Sequence, residues 1–233
     1  MTLPDLAVQS IYARLAWGVV LAAALLAAST RWSSRRGALS RTALLMLGGL
    51  ALAVMWLPGP ASPAFWLGLV FSYPSVMLAA CCAVNIGLLW GRSGMPLNAS
   101  GDTAPVPAAG PAAALNATLA TTLAIGGGLL YADAVGWLAL QIYARGFETP
   151  FAPAAALAIG AVAVGAIRSP ALRPTGAVLL ACVMAFTLAR LPSGNLFDAL
   201  LDPLIWCWAV GVSLRALRAR LHPSTVGASS HPV

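Results

Sequence analysis

The stretch "LAWGVVLAAALLAASTRWSSRR", residues 15 to 36, decides the fold class: an unbroken apolar run ends abruptly in a cluster of arginines. Together with its N-terminal neighbours the run is long enough to cross ~30 Å of hydrocarbon, and guanidinium groups do not follow it into lipid. It resembles the hydrophobic region of a secretory signal. Yet only Arg14 precedes it closely, offset by Asp5, and "RWSSRR" follows at once. A basic cluster on the trailing side resists translocation, so the segment is expected to remain as an uncleaved anchor.

The rest of the chain repeats this pattern. Of 233 residues, 60% are hydrophobic and 8% charged, and mean hydropathy is +0.87. A soluble domain carries about 25% charged residues, so too little polar surface exists here to wrap a water-soluble particle. The expected fold is an all-α integral membrane protein, a polytopic bundle. Apolar runs bounded by Arg, Pro and Gly fall at 11–30, 42–57, 63–90, 115–140, 151–167, 175–191 and 203–220, which makes about seven transmembrane helices. The shortest runs sit near the lower limit for a crossing, where snorkelling arginines or a locally thinned bilayer make up the difference. Pro74, in "FSYPSV", predicts a kink in the third.

All thirteen basic residues are arginines, and they flank the apolar runs instead of forming a patch. The net charge of +7 therefore reports membrane orientation and gives no reason to expect nucleic acid. Arg31, Arg35, Arg36 and Arg41 lie in the first connection, and Arg92 opens the third. Arg168 and Arg173 bracket the fifth, and Arg215, Arg218 and Arg220 end the last run. Only Arg14, Arg145 and Arg190 remain for the opposite face. The positive-inside rule then predicts an N-terminus outside and a C-terminus in the cytoplasm, which requires an odd number of crossings. Trp17, Trp56, Trp66, Trp137, Trp206 and Trp208 fall near the outer side and Trp32 and Trp90 near the inner one, as an aromatic belt would.

Four regions follow. Residues 1–90 form an N-terminal three-helix half, and 91–114, rich in Gly, Pro and Ala, a flexible cytoplasmic linker. Residues 115–221 form a four-helix half, and 222–233 a disordered tail. No internal repeat stands out, which gives an inverted-repeat transporter no support.

Missing residues exclude more than motifs suggest. Without lysine, retinal cannot be held as a Schiff base. The only histidines, His222 and His231, lie in the tail, so intramembrane haem ligation, H-E-x-x-H zinc proteolysis and a Ser-His dyad all fail. Glycines 126–128 follow no strand, which makes a phosphate cradle improbable. Cys81, Cys82, Cys182 and Cys207 sit inside apolar runs and read as packing residues. No cofactor and no metal site are expected.

Few polar residues remain. Asp133 stands in "GGGLLYADAVGWLALQIYARGFE", residues 126–148. A helix ending near residue 137 puts this acid in the outer headgroup region, whereas one extended to 144 puts it near the bilayer centre. There an ionised acid costs at least about 2.5–3.5 kcal/mol and needs a partner. Arg14 and Arg190 are the available basic partners, with Asn85 and Gln141 weaker ones. A structural hydrogen bond or ion pair is the plainer reading, and a proton, ion or substrate role the sharper one. In "LPSGNLFDALLDP", residues 191–203, Asp198 and Asp202 share one helical face, where paired carboxylates suit a divalent cation or acid–base work. The plainer reading is capping: Asn195 caps a short helix with Asp198 at its N3 position, and Asp202 precedes Pro203 at the start of the last helix. Arg14, Arg145 and Arg190 are expected as snorkelling anchors, or as an outer cluster able to hold a lipid phosphate. Gly87 with Gly91, Ala156 with Gly160 and Ala161 with Gly165 have helix-packing spacing, suited to neighbouring helices or to other membrane proteins.

The first functional expectation is a non-catalytic subunit or anchoring component of a cell-envelope complex in a bacterial inner membrane. A small transporter or channel using Asp133 is the alternative, as is a membrane enzyme acting on a lipid-linked substrate at the outer surface through Asp198 and Asp202. Abundant Ala and Arg without Lys match a GC-rich bacterial genome.

Overall fold

A computed structural model describes residues 5–33, 40–92 and 116–221. Most of the linker, the tail with both histidines, and Arg35 and Arg36 lie outside the described residues. Within the described residues all regular structure is helical and there is no strand. The α-helices are α1 (Leu6–Ser33), α2 (Arg41–Met55), α3 (Pro63–Phe71), α4 (Val76–Arg92), α5 (Ala117–Ala134), α6 (Ile142–Arg145), α7 (Phe151–Arg168), α8 (Arg173–Ala189), α9 (Leu196–Leu200) and α10 (Pro203–Leu221). Alanine and leucine fill their interiors, and short polar side chains start them. Ser40 accepts from the Ala43 N–H at 3.2 Å to open α2, and Asn116 from the Leu119 N–H at 2.7 Å to open α5.

Two helices are long and apolar enough to cross a membrane: α1 over Leu6–Thr30 and α7 over Phe151–Arg168. Helices α2, α4 and α8 are apolar but shorter. Large side chains stand exposed on many helices, among them Leu45, Met46, Leu69, Val70, Leu157, Val162 and Leu188. An apolar surface so extensive is not that of an ordinary water-soluble monomer.

The third apolar run is not one kinked helix over 63–90. Helix α3 stops at Phe71, Ser72 takes φ 60° and ψ −127°, and α4 starts only at Val76. Pro74 removes a donor and bars Tyr73 from helical geometry. Side chains of α1 then take up freed carbonyls: the Tyr12 hydroxyl donates to Pro74 O at 2.7 Å, and Trp17 Nε1 to Ser72 O at 3.3 Å. Trp17 is consequently a core residue, 2% exposed, and not part of an interfacial belt.

The fourth run also ends earlier than 140 or 144. Helix α5 closes at Ala134 because Gly136 adopts φ 82°, and the Trp137 N–H reaches back to Ala132 O at 2.8 Å. A glycine in left-handed conformation with a bond spanning six residues is the standard way to end a helix.

Helices pair as α1 with α2, α5 with α10 and α7 with α8, and α4 packs against both α1 and α8. One glycine permits each close pairing. A Cβ on Gly18 would meet Leu52 Cδ2 at 2.6 Å, one on Gly127 would strike the Trp206 ring, and one on Gly176 would meet Ala163 O at 2.7 Å. The expected pair Gly87 and Gly91 has nothing within 4 Å among the described residues. Gly165 is equally open, while Gly160 meets Val183 at 3.9 Å. Met77, Cys81, Cys182, Phe186 and Ile205 are fully buried in one core drawn from both sides of the linker. Cys82 is buried too, Cys207 is exposed, and all four thiols are free.

Candidate functional site

The three acids Asp133, Asp198 and Asp202 lie at one end of the bundle. There α5 finishes, α6 and α9 lie, and α4 and α10 begin. Asp133 occupies the last turn of α5 and is buried. Its Oδ1 accepts from the Leu140 N–H at 2.6 Å and its Oδ2 from the Tyr143 N–H at 3.1 Å. Neither outer arginine pairs with it among the described residues, and it does not sit mid-helix. The acid closes a loop, folding residues 135–143 back over the helix end. Ala139 and Gln141 adopt φ 49° and 54° within that loop, conformations costly for residues with a Cβ that persist only where surroundings impose them.

The loop delivers Tyr143 to Asp198. The Tyr143 hydroxyl donates to the Asp198 carboxylate at 2.9 Å, and the Ser193 hydroxyl donates to its Oδ2. Burial, and then the neighbouring Asp198 charge, push the Tyr143 phenol above its ordinary pKa, so it stays protonated as a donor. Asn195 behaves as its position in the sequence implies: its Oδ1 accepts from the Phe197 N–H at 2.9 Å and caps α9, with Asp198 in the first turn. Its Nδ2 also donates to Tyr143 O at 3.0 Å, and the Leu196 N–H donates to Gly146 O at 3.2 Å. Gly146 must lack a side chain, because a Cβ there would overlap the Asn195 amide. Two loops far apart in sequence are thus stitched together.

Asp202 does more than start α10. Its Oδ1 accepts from the Ile205 N–H at 2.8 Å, as an N-cap should. Its Oδ2 accepts from the Ser75 N–H at 2.7 Å, 127 residues away, at the start of α4. One buried carboxylate therefore serves two helix beginnings.

Between these groups lies a cavity of about 340 Å³. Asp198 and Asp202 line it, with Tyr73, Tyr131 and Tyr143, and Phe71 and Phe197 supply further ring surface. Among the described residues no arginine lines it. Among the described residues no group of three or more His, Cys, Asp or Glu converges as a metal site would require. The arrangement can attract positive charge, present aromatic faces and offer phenolic hydroxyls. The cavity itself was not readable in the sequence, because Tyr73, Tyr131 and Tyr143 sit in separate segments with no shared motif.

The arginines Arg14, Arg145 and Arg190 do not form the anticipated cluster. Arg14 donates to Met55 O at 3.3 Å, with its guanidinium 5.6 Å from the Trp56 ring centroid. Arg190 stacks over Phe186 at 4.9 Å, and Arg145 is exposed at the end of α6. Arg14 and Arg190 each settle on a nearby ring. Asn85 is buried in α4, away from this end, and its Nδ2 has no hydrogen-bond partner among the described residues. Compared with models of known families, with curated proteins and with solved structures, the chain matches none.

Proposed function

We propose that the chain is a multi-pass protein of a bacterial inner membrane, acting as a non-catalytic subunit or anchoring component of a cell-envelope complex. Seven crossings, by α1, α2, α4, α5, α7, α8 and α10, fit the arginine asymmetry, with the N-terminus outside and the C-terminus cytoplasmic. The shorter helices reach across a ~30 Å core with snorkelling arginines and local thinning. On this reading the stitched end, with Asp133, Asp198 and Asp202, faces outward.

One observation carries the non-catalytic reading. Asp133, Asp198 and Asp202 each accept two or more hydrogen bonds from the protein's own backbone or hydroxyls. Each acid has a structural task that accounts for its presence. The open faces at Gly87, Gly91 and Gly165 suit helices of other membrane proteins. The test is purification of the tagged chain in mild detergent, with Asp198→Asn in parallel. A defined membrane partner in fixed stoichiometry, retained by the variant, supports a subunit. A chain that runs alone, together with loss of its cellular phenotype in the variant, would move the role to an enzyme or carrier.

A further inference from the structure

We propose that the cavity between α5, α6, α9 and the start of α10 is a binding site for a small organic ammonium group. Its polarity decides the sign of the ligand. Asp198 and Asp202 bring two carboxylates to its wall, and no basic side chain answers them there. An anionic ligand would meet like charge at short range, whereas a cation would be attracted by both acids. The chain carries a net charge of +7, so a locally acidic hollow is a departure from its general character.

The aromatic lining decides the kind of cation. Tyr73, Tyr131, Tyr143 and Phe197 present ring surface, and alkylated ammonium groups bind ring faces in addition to carboxylates. Rings at this end already hold cations in the same way, Trp56 under Arg14 and Phe186 under Arg190. The Tyr73 and Tyr131 hydroxyls engage no other group among the described residues and stay available to a guest. A bare metal ion would leave most of a 340 Å³ space unfilled, while an ammonium group with its substituents occupies it. The ammonium could belong to a free amine or to a phospholipid headgroup, and both present the same chemistry. This site stands whether or not the chain proves to be a subunit, because binding asks nothing catalytic of either acid.

The experiment places the full chain in phosphatidylglycerol nanodiscs. Choline and its uncharged isostere 3,3-dimethyl-1-butanol are titrated in, with binding followed by ligand-observed NMR. Choline is expected to bind at least about tenfold more tightly than the alcohol, the worth of one moderate charge interaction. Asp198→Asn should reduce that preference several-fold in protein that remains helical by circular dichroism. Tyr131→Leu, which spares both acids, should weaken choline by a similar factor. Nanodiscs with added phosphatidylethanolamine separate the sources. Weaker choline binding there, in the unmodified protein only, assigns the site to a headgroup; unchanged binding assigns it to a free amine. Equal binding of the neutral alcohol, an Asp198→Asn variant that binds choline normally, or no choline binding in phosphatidylglycerol would each overturn the proposal.

Discussion

The two ends of the bundle are held by different means. At the end where α5 stops and α10 begins, side chains reach across segments: Asp133 to the following loop, Tyr143 to Asp198, Asp202 to Ser75. At the opposite end, where α5 begins and α10 finishes, hydroxyls bond within their own helix. Thr121 donates to Ala117 O, Thr122 to Thr118 O and Ser213 to Ala209 O. Helices approach closely there, as where Gly176 of α8 lies against the Ala163 carbonyl and Ile167 of α7. Arginines add contacts at the surface, Arg173 Nε to Ile167 O at 3.4 Å and Arg41 over the Trp90 ring. Buried carboxylates mark one end, and close helix approach marks the other. The first needs particular atoms, while the second needs only the absence of a side chain.

Substitutions can break or sharpen this contrast. The largest effect is expected from Asp202→Ala, which uncaps α10 and leaves the buried Ser75 N–H unpaired. About 3 kcal/mol should be lost, read as a lowered midpoint of unfolding in maltoside detergent. Gly176→Ala tests the other end. Its methyl would press on the Ala163 carbonyl oxygen at 2.7 Å and the Ile167 nitrogen at 2.8 Å, backbone atoms that cannot rotate away. A loss of about 2 kcal/mol by the same assay is expected, and no loss would show that shape does not specify that end. Asp133→Asn should act locally, speeding amide hydrogen exchange at Leu140 and Tyr143 while leaving α7 and α8 unchanged; a global change would mean the loop is not an independent unit. The smallest effect belongs to Asn85→Leu. Removing a buried amide whose Nδ2 is unpartnered should change stability by no more than about 0.5 kcal/mol, or raise it.

Helices that hydrophobic length alone defines were legible in the sequence: the run 151–167 became Phe151–Arg168, and 175–191 became Arg173–Ala189. Local capping was legible too, because Asn195 and Asp202 act on amides two or three residues away. What escaped depends on distance in the chain. The break at Ser72 follows Pro74, visible in sequence, but its depth depends on Tyr12 and Trp17 supplying hydrogen bonds from another helix. The end of α5 was signalled by Gly136, yet the apolar letters around it argued for continuation. Small-residue spacing pointed to Gly87 with Gly91, Ala156 with Gly160 and Ala161 with Gly165. Of these Ala156 is buried and Gly160 meets Val183, whereas the tightest approaches are at Gly18, Gly127, Gly146 and Gly176. In so alanine-rich a chain, spacing cannot say which face has a neighbour. The cavity needed the meeting of four separate stretches of chain, and no local pattern encodes that.

The bond from Ser75 to Asp202 has a consequence for biogenesis. A ribosome releases the chain from its N-terminus, so α4 emerges long before Asp202 exists. Until α10 threads in, the amide of Ser75 has no acceptor from that residue, and the front of α4 is unfinished. A helix made 127 residues later therefore completes the front of α4, and a nascent chain truncated before residue 202 would present an incompletely seated α4 to the cell's quality-control proteases.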